Sequence, residues 1–187
     1  MSKKVCVVGI GGGTCSGKST LTDKLEVMLS KKNKVSVLRM DDYYNWSDMK
    51  TIAPITRIEY PEHNHPDAVD MDNLYKKFIE TITDNNNDIV LLEGIFSFYF
   101  DQLRDKLDLK IFVDLKSDER MYRRIKRLLD YGEPLDDIAQ RYLDTVRYRH
   151  DEFVEQTRWY ADLVVNGNSD LTFVANLIVS CIKDVSQ

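Results

Sequence analysis

Short apolar runs alternate with longer amphipathic stretches along the chain, and this alternation predicts the order of strands and helices. Residues 5–10 form an apolar run rich in β-branched side chains, which is typical of a strand buried on both faces. Further strands are predicted at 35–38, 89–92, 109–113 and 163–165. Helices are predicted at 18–31, 71–83, 118–129, 135–157 and 171–182. Because buried strands alternate with helices, we expect a parallel sheet that is covered on both faces.

Residues 41–69 interrupt this alternation, because they are polar and aromatic and contain Pro54, Pro61 and Pro66. A long segment without a clear period is typical of a functional loop or insertion. The sequence shows no repeat, low-complexity tract or linker that would divide the chain. We therefore expect residues 1–187 to form one domain.

Composition narrows the class of protein. The 187 residues are 43% hydrophobic and carry a net charge of −5, which indicates a globular protein and argues against a general nucleic-acid binder. Cys6, Cys15 and Cys181 form no metal-binding spacing, and their odd number suits a reducing compartment. The first apolar run is too short for a signal peptide, and no run is long enough to span a membrane. We expect a cytoplasmic protein that binds neither nucleic acid nor a membrane.

A glycine-rich segment directly after the first predicted strand carries the strongest chemical signal. The segment Gly12-Gly13-Thr14-Cys15-Ser16-Gly17-Lys18-Ser19 matches G-x-x-x-x-G-K-[ST], the pattern of a phosphate-binding loop. Its glycines let backbone N–H groups point at phosphate oxygens, and the next helix presents its positive N-terminal end. We expect Lys18 to reach the β- and γ-phosphates of a nucleotide and Ser19 to bind Mg²⁺. An accidental glycine-rich turn is the alternative, and the position between a buried strand and a helix argues against it.

Two strand ends supply carboxylates that could act on a bound nucleotide. Asp41 follows the second strand, at the edge where parallel sheets bind ligands, so it is a candidate base for the acceptor hydroxyl and a candidate magnesium ligand. Glu93 ends the third strand and resembles the acid that holds the metal beside a phosphate loop. With Ser19 they form an oxygen set suited to Mg²⁺. The alternatives are that Asp41 only caps a turn and that Glu93 is an ordinary acid at a strand end.

Four arginines share one face of the helix predicted at 118–129. They are Arg120, Arg123, Arg124 and Arg127, at positions i, i+3, i+4 and i+7. Like charges repel one another unless an anion is near, and arginine can bind phosphate through two donors. We therefore favour a lid over the nucleotide phosphates at about residues 117–134, with a solvated basic face as the alternative.

In order and spacing these motifs make the chain similar to the uridine/cytidine kinase family, whose relatives include nicotinamide riboside kinase and phosphoribulokinase. The resemblance covers nearly the whole chain and rests on segments 12–20, 41–44, 65–68, 92–95, 109–114, 120–124, 152–155 and 160–162. It implies an α/β fold of the P-loop NTPase type, a three-layer sandwich with a five-stranded parallel sheet and a helical lid. It also implies transfer of the ATP γ-phosphate to a ribose 5′-hydroxyl, as in pyrimidine salvage, with Mg²⁺ as cofactor.

The resemblance also assigns roles to single residues. Asp41 matches the family's base, and Ser19 and Glu93 match its magnesium environment. The expected catalytic residues are Asp41, Lys18, Arg120, Arg123 and Arg124, the arginines by their match to the lid helix. The residues expected to bind ATP are Gly12, Gly13, Thr14, Cys15, Ser16, Gly17, Lys18, Ser19 and Thr20. The residues expected to bind the acceptor are Asp41, Tyr44, Asn64 and His65.

The acceptor half departs from the family pattern at three places. Asn64 stands where uridine kinases usually carry the first aspartate of Asp-His-Pro-Asp, which holds the ribose hydroxyls. Only 22 residues separate Asp70 from Glu93, too few for the family's hairpin rich in Tyr and His that closes on the pyrimidine. The family's Arg-Gly-Arg after the lid helix is Tyr131-Gly132-Glu133 here. The ATP half therefore looks retained, while the acceptor half looks remodelled.

Aromatic and basic side chains crowd residues 41–69 and offer one replacement for that hairpin. They are Tyr43, Tyr44, Trp46, Arg57, Tyr60 and His63. Such side chains could stack on a nucleobase or nicotinamide ring, and they could equally form a hydrophobic cluster that orders the loop.

We therefore expect a kinase that uses ATP and a nucleoside-like acceptor, either uridine or cytidine or another ribosyl compound such as nicotinamide riboside. A GTPase switch is disfavoured, because the chain has no Asp-x-x-Gly and residues 33–36 lack the aspartate that reads guanine. A regulatory relative without activity is a further alternative. Lys18, Asp41 and Glu93 argue against it, while Asn64 leaves it open. The sequence also leaves open whether the chain forms a homo-oligomer.

Overall fold

A computed structural model of the chain describes residues 4–45 and 49–185. The strands are β1 (Cys6–Gly12), β2 (Val35–Arg39), β3 (Lys50–Ile52), β4 (Glu59–Pro61), β5 (Ile89–Glu93), β6 (Leu109–Asp114) and β7 (Leu163–Asn166). The helices are α1 (Lys18–Leu29), α2 (Met71–Thr83), α3 (Asp101–Arg104), α4 (Ser117–Asp130), α5 (Leu135–Arg141), α6 (Arg147–Arg149) and α7 (Leu171–Val185). None of these described helices is long and apolar enough to cross a membrane.

Five of the strands form one sheet in the order β2-β5-β1-β6-β7, and every neighbouring pair runs parallel. β1 lies at its centre, with Val7 opposite Val90 of β5 and Ile10 opposite Ile111 of β6. All residues of β1 and β5 are buried, because the crossovers of a parallel sheet place helices on its faces. The expected α/β fold with five parallel strands is therefore confirmed.

One hydrophobic core lies on each face of this sheet. On one face Phe78 of α2 packs in a cluster with Phe112 of β6. On the other face Leu21 of α1 and Ile178 of α7 pack in a second cluster. Each of these four side chains is at most 1% exposed, and burying such a side chain stabilises the fold by about 1.5–3 kcal/mol. The two cores fix the sheet from both sides and so fix its carboxyl edge, where β1, β2 and β5 end.

The helix α2 shows how local sequence sets these elements. The Asp70 carboxylate accepts a hydrogen bond from the Asn73 N–H at 3.1 Å, which satisfies a donor at the start of the helix. Leu74 and Phe78, four residues apart, then face the core together. The helix predicted at 71–83 is confirmed, and it occupies the stretch that is too short for the family's hairpin.

Residues 41–69 contain more structure than the predicted loop. After a 3₁₀ turn at Met40–Tyr43, β3 and β4 form an antiparallel hairpin that pairs with itself and with no strand of the central sheet. A second 3₁₀ turn follows at Pro66–Ala68. Strands of three residues are too short to show a period of two, so the pattern of the sequence did not predict the hairpin.

The helix predicted at 135–157 is broken into shorter segments. α5 continues into a π-helical turn at Tyr142–Val146, and α6 continues into a second one at His150–Val154, before a 3₁₀ segment at Glu155–Tyr160. π-helical turns inside a helix are uncommon and often occur at functional sites. Here they lie on either side of α6, which packs against the hairpin.

Candidate active site

The loop between β1 and α1 curls back on itself and forms the floor of a cleft of about 560 Å³. Gly12 and Gly17 have φ angles of 133° and 110°, which side chains with a Cβ rarely adopt. A Cβ on Gly12 would also lie 2.3 Å from the Val113 carbonyl oxygen. Cys15 adopts a φ of 58° and lines the cleft. This backbone shape is that of a loop whose N–H groups converge on an anion.

Most residues expected to bind ATP line this cleft, and the remainder shape the loop from below. Those lining it are Thr14, Cys15, Gly17, Lys18, Ser19 and Thr20. Ser16 is completely buried. A Cβ on Gly13 would lie 2.7 Å from an Arg120 guanidinium nitrogen and 2.9 Å from the His150 ring. The loop therefore rests on buried side chains and has little freedom to move inwards.

Lys18 is the first residue of α1 and is almost completely buried. Its Nζ donates a hydrogen bond to the Gly13 carbonyl oxygen at 3.1 Å and lies 3.8 Å from Oε1 of Glu93. The ammonium group thus sits between the loop and the end of β5, where a phosphate chain on the loop would meet it.

Glu93, Ser19 and Asp41 supply oxygen atoms to the same cleft. The Ser19 hydroxyl donates to Oε1 of Glu93 at 3.4 Å. Burial raises the pKa of Glu93, and Lys18 opposes this shift. Asp41 lies in the 3₁₀ turn after β2 and raises the pKa of Glu93 as a second negative charge. A cation bound between these groups would offset the cost of burying the charged Glu93 carboxylate and the repulsion between Glu93 and Asp41.

This donor set fits Mg²⁺ that arrives with a nucleotide. The described residues contain no group of three or more His, Cys, Asp or Glu side chains that could hold a metal ion by themselves. Mg²⁺ typically keeps several waters and binds through one or two carboxylates together with substrate phosphates. One hydroxyl and two carboxylates beside a phosphate-binding loop match that requirement.

Arg39 also lies beside the Glu93 carboxylate, and sequence reasoning missed it. Its guanidinium lies 3.8 Å from Oε2 of Glu93 and 2.8 Å from the Asp23 carboxylate of α1. Arg39 stands opposite Glu93 in the register of β2 and β5. The signal was present in the sequence, because both residues end their strands at the same sheet edge.

The arginines of α4 divide into two groups. Arg123, Arg124 and Arg127 line the cleft. Arg123 donates to the Ser16 and Gly167 carbonyl oxygens at 3.3 and 3.0 Å, and Arg124 donates to the Thr14 hydroxyl at 3.4 Å. Burial lowers the pKa of Arg124. The helix is thereby tied to the phosphate loop, with guanidinium groups on the cleft side.

Arg120 differs from the expected catalytic role. It is 3% exposed, does not line the cleft, and donates through Nε to the Leu115 carbonyl oxygen at 3.0 Å. It supports Gly13 from below together with His150. Burial and the charge of Arg120 lower the pKa of His150 to about 4, so two positive charges do not meet beneath the loop at neutral pH.

Comparison with known proteins agrees with this site. A model of the "Phosphoribulokinase / Uridine kinase family" matches residues 7–82 and 80–172. The uridine kinase of Chlamydia pneumoniae is 35% identical over 204 aligned residues, covering 95% of this chain and 89% of that protein. The chain belongs to the phosphoribulokinase / uridine kinase family. It is therefore a phosphotransferase that acts on a hydroxyl acceptor, as the resemblance implied.

Further relatives of this family member support the same assignment. A uridine kinase of Lactobacillus johnsonii is 30% identical, and the alignment covers 98% of this chain and 97% of that protein. A possible uridine kinase from Bacillus stearothermophilus superposes with a TM-score of 0.52 at 19% identity, covering 88% of this chain and 90% of its own. Shikimate kinase from Acinetobacter baumannii superposes with a TM-score of 0.59 at 14% identity, and the match covers 97% of this chain and 95% of that structure. These two structures share the fold.

Residues expected to form the remodelled acceptor half contribute to the same cleft in this family member. Tyr44, His63 and Asn64 line the cleft there, with Ile95 beside them. Burial raises the pKa of Tyr44 and lowers the pKa of His63, so both side chains are neutral at pH 7. His65 does not line the cleft, because it packs edge-on against Phe153 with ring centroids 4.7 Å apart.

Glu133 and Arg141 are further residues of this half that sequence reasoning did not place at the site. They form an ion pair, and both line the cleft. The sequence singled out Glu133 only because it replaces the second arginine of the family's Arg-Gly-Arg. No sequence pattern marked Arg141 as a site residue. It ends α5, eight residues after Glu133, and this spacing alone does not show that its side chain turns towards Glu133.

The aromatic and basic side chains of residues 41–69 have separate positions. Among those that the structure describes, only Tyr44 and His63 line the cleft. Tyr43 borders a different surface depression, and the Tyr60 hydroxyl donates to Asp144 at 2.7 Å. Arg57 lies in the turn between β3 and β4 with a φ of 63°, and Trp46 lies outside the described residues. These side chains therefore do not form one cluster.

Proposed function

We propose that the chain is an ATP-dependent nucleoside kinase that phosphorylates the 5′-hydroxyl of uridine or cytidine. The observation that carries this proposal is a single cleft lined by Lys18, Ser19, Glu93 and Asp41 together with Asn64. The family assignment and the names of the uridine kinase relatives support the same substrates.

The geometry suggests how transfer proceeds. The triphosphate lies on the loop N–H groups, with Lys18 at the β- and γ-phosphates. Asp41 orients the acceptor hydroxyl and takes its proton as the oxygen bonds to the γ-phosphorus and the bond to the ADP oxygen breaks. Arg124 and Arg127 stabilise the charge that moves to the phosphoryl oxygens. Ser19, Glu93 and Asp41 would hold the Mg²⁺ that accompanies the nucleotide, and that ion would supply neutralisation of phosphate charge.

The charges of the acceptor half favour a neutral acceptor. Asn64 carries no charge where the family usually has an aspartate, and the Glu133 carboxylate is paired with Arg141. Burial is the main cause that lowers the pKa of His63; the charge of Glu62 raises this pKa, and the charges of Arg141 and Arg124 lower it. A cationic pyridinium ring, as in nicotinamide riboside, would be repelled by the Arg124 guanidinium, which lines the cleft. A neutral pyrimidine nucleoside avoids that repulsion.

A panel of acceptors tests this proposal. ADP release with MgATP is measured for uridine, cytidine, adenosine and nicotinamide riboside, and the product is identified by ³¹P NMR. We expect uridine or cytidine to give a 5′-monophosphate with kcat/KM at least about tenfold above that of nicotinamide riboside. A preference for nicotinamide riboside would contradict the electrostatic reasoning. Failure of every nucleoside to accept phosphate would favour a regulatory relative.

A further inference from the structure

An ion pair between a buried carboxylate and a partly exposed arginine lies outside the lining of the cleft. Glu62 is only 1% exposed, and its Oε2 accepts a hydrogen bond from Nε of Arg149 at 2.9 Å. A carboxylate buried to this degree is costly unless it is paired and its remaining oxygen is also hydrogen-bonded. The function of the ion pair therefore depends on which group donates a hydrogen bond to the second oxygen of Glu62.

That second oxygen holds a residue of the cleft. Oε1 of Glu62 accepts a hydrogen bond from the Asn64 backbone N–H at 2.8 Å. Asn64 lines the cleft, whereas Glu62 and Arg149 do not. The carboxylate thus links a cation on α6 to the backbone of the residue that faces the acceptor.

The same helical stretch holds the other end of this short segment. Phe153, four residues after Arg149, contacts the ring of His65. Residues 149 and 153 lie on one side of a helix. The segment 62–65 is therefore fixed at both ends, at Glu62 by Arg149 and at His65 by Phe153, and the residues between them face the cleft.

Arg149 also connects the hairpin to this arrangement. It donates to the Thr51 hydroxyl of β3 at 3.1 Å and to the Glu152 carboxylate at 2.8 Å. The Glu62 N–H donates to the Met49 carbonyl oxygen at 2.8 Å, which closes the base of the hairpin. The orientation of the guanidinium group is thus set by partners on three sides.

A second buried carboxylate attaches the hairpin at a different point. Asp144 is 6% exposed and accepts hydrogen bonds from the Thr56 and Tyr60 hydroxyls, each at 2.7 Å. It also accepts from the Gln140 amide at 3.0 Å. None of these described hydrogen bonds involves residues 62–65, so Asp144 provides a matched comparison.

We propose that the Glu62–Arg149 ion pair is a positioning element that fixes Asn64 and thereby sets the affinity for the phosphate acceptor. Glu62 and Arg149 are positioning residues, because they act through the Asn64 backbone and do not line the cleft. This inference rests on the proposed nucleoside kinase function. It assigns control of acceptor binding to residues outside the cleft.

Kinetics of Glu62→Gln and Arg149→Leu test the effect on the acceptor. We expect the KM for the nucleoside to rise about tenfold, as for the loss of one charge-assisted hydrogen bond, while the KM for ATP changes less than about twofold. Arg149→Lys should restore part of the nucleoside affinity, because it keeps the charge. An unchanged nucleoside KM, or an equal rise in both KM values, would overturn the proposal.

Asp144→Asn serves as the control for loss of hairpin attachment. It removes a buried charge that attaches the same hairpin at a different point, and it leaves Glu62 and Asn64 untouched. We expect Asp144→Asn to lower the melting temperature about as much as Glu62→Gln does, and to leave the nucleoside KM within about twofold of the wild type. If it raises that KM as much as Glu62→Gln does, attachment of the hairpin as a whole sets acceptor affinity and the specific role of Glu62 is wrong.

Amide hydrogen exchange tests the positioning without any substrate. In Glu62→Gln, the peptide containing Asn64 should exchange faster than in the wild type, while the peptide of the phosphate loop exchanges at the same rate. Unchanged exchange at Asn64 would overturn the positioning role. If the wild type phosphorylates no nucleoside, the proposed function fails, and the exchange experiment still decides whether Glu62 orders Asn64.

Discussion

Replacing Lys18 with alanine should reduce turnover by about 10²–10³-fold, the loss typical of removing one preorganised group that stabilises transition-state charge. Lys18 is buried at the start of α1, and its ammonium lies between the Gly13 carbonyl and Glu93. No other lysine lines the described cleft. The guanidinium groups of α4 approach from the lid side and do not replace it.

Lys24→Ala is the matched control for this substitution. Lys24 lies on the same helix, is partly exposed, and donates to the Thr172 hydroxyl at 2.9 Å. It should retain wild-type turnover. Steady-state ADP release measures both variants, and circular dichroism checks that both are folded. A folded Lys18→Ala protein with turnover within about threefold of wild type would contradict the role of Lys18 at the phosphates.

Asp41→Asn should reduce phosphoryl transfer by about 10²–10⁴-fold, the range attributed to a positioned general base. The asparagine keeps the size and part of the hydrogen bonding of Asp41 but cannot accept the acceptor proton. Because Lys18, Ser19, Glu93 and the loop N–H groups are unchanged, and the asparagine carbonyl still offers an oxygen to Mg²⁺, we expect the affinity for MgATP to stay within about fivefold. Single-turnover transfer and nucleotide titration measure the two quantities separately.

Asp42→Asn controls for the charge at this position. Asp42 is the next residue in the same 3₁₀ turn, but it borders a different surface depression, together with Lys76 and Lys77. Its replacement should leave transfer unchanged. Equal losses in the two variants would indicate that the turn is disrupted, and undiminished transfer in Asp41→Asn would contradict its assignment as the base.

The central sheet and its loop could be predicted because their signals are local and redundant. Residues 5–10 are apolar throughout, and a glycine-rich motif with a defined spacing follows them directly. The hairpin of β3 and β4 could not be predicted, because each strand has three residues and is fixed by distant partners such as Asp144. The π-helical turns around α6 likewise leave no mark on a helical period.

The candidate site divides in the same way. The glycine-rich motif predicts Lys18 and Ser19, and the end of a buried strand predicts Glu93. The structure brings these three side chains together. Arg120 shares a helical face with Arg123, Arg124 and Arg127, yet it is buried under Gly13, because a stripe of about two turns spans both the cleft and the core. Glu133 and Arg141 meet only through the tertiary fold. Such side-chain pairs cannot be read from one sequence.

Calorimetric titration of ATP into the protein, with and without Mg²⁺, tests most directly whether the loop at 12–19 binds a nucleotide phosphate chain. We predict saturable heat for MgATP with one site per chain and a Kd of about 1 μM to 1 mM, the range of typical KM values. Lys18→Ala should weaken it. Absence of any heat with MgATP from folded wild-type protein would contradict the assignment of this cleft as a kinase active site.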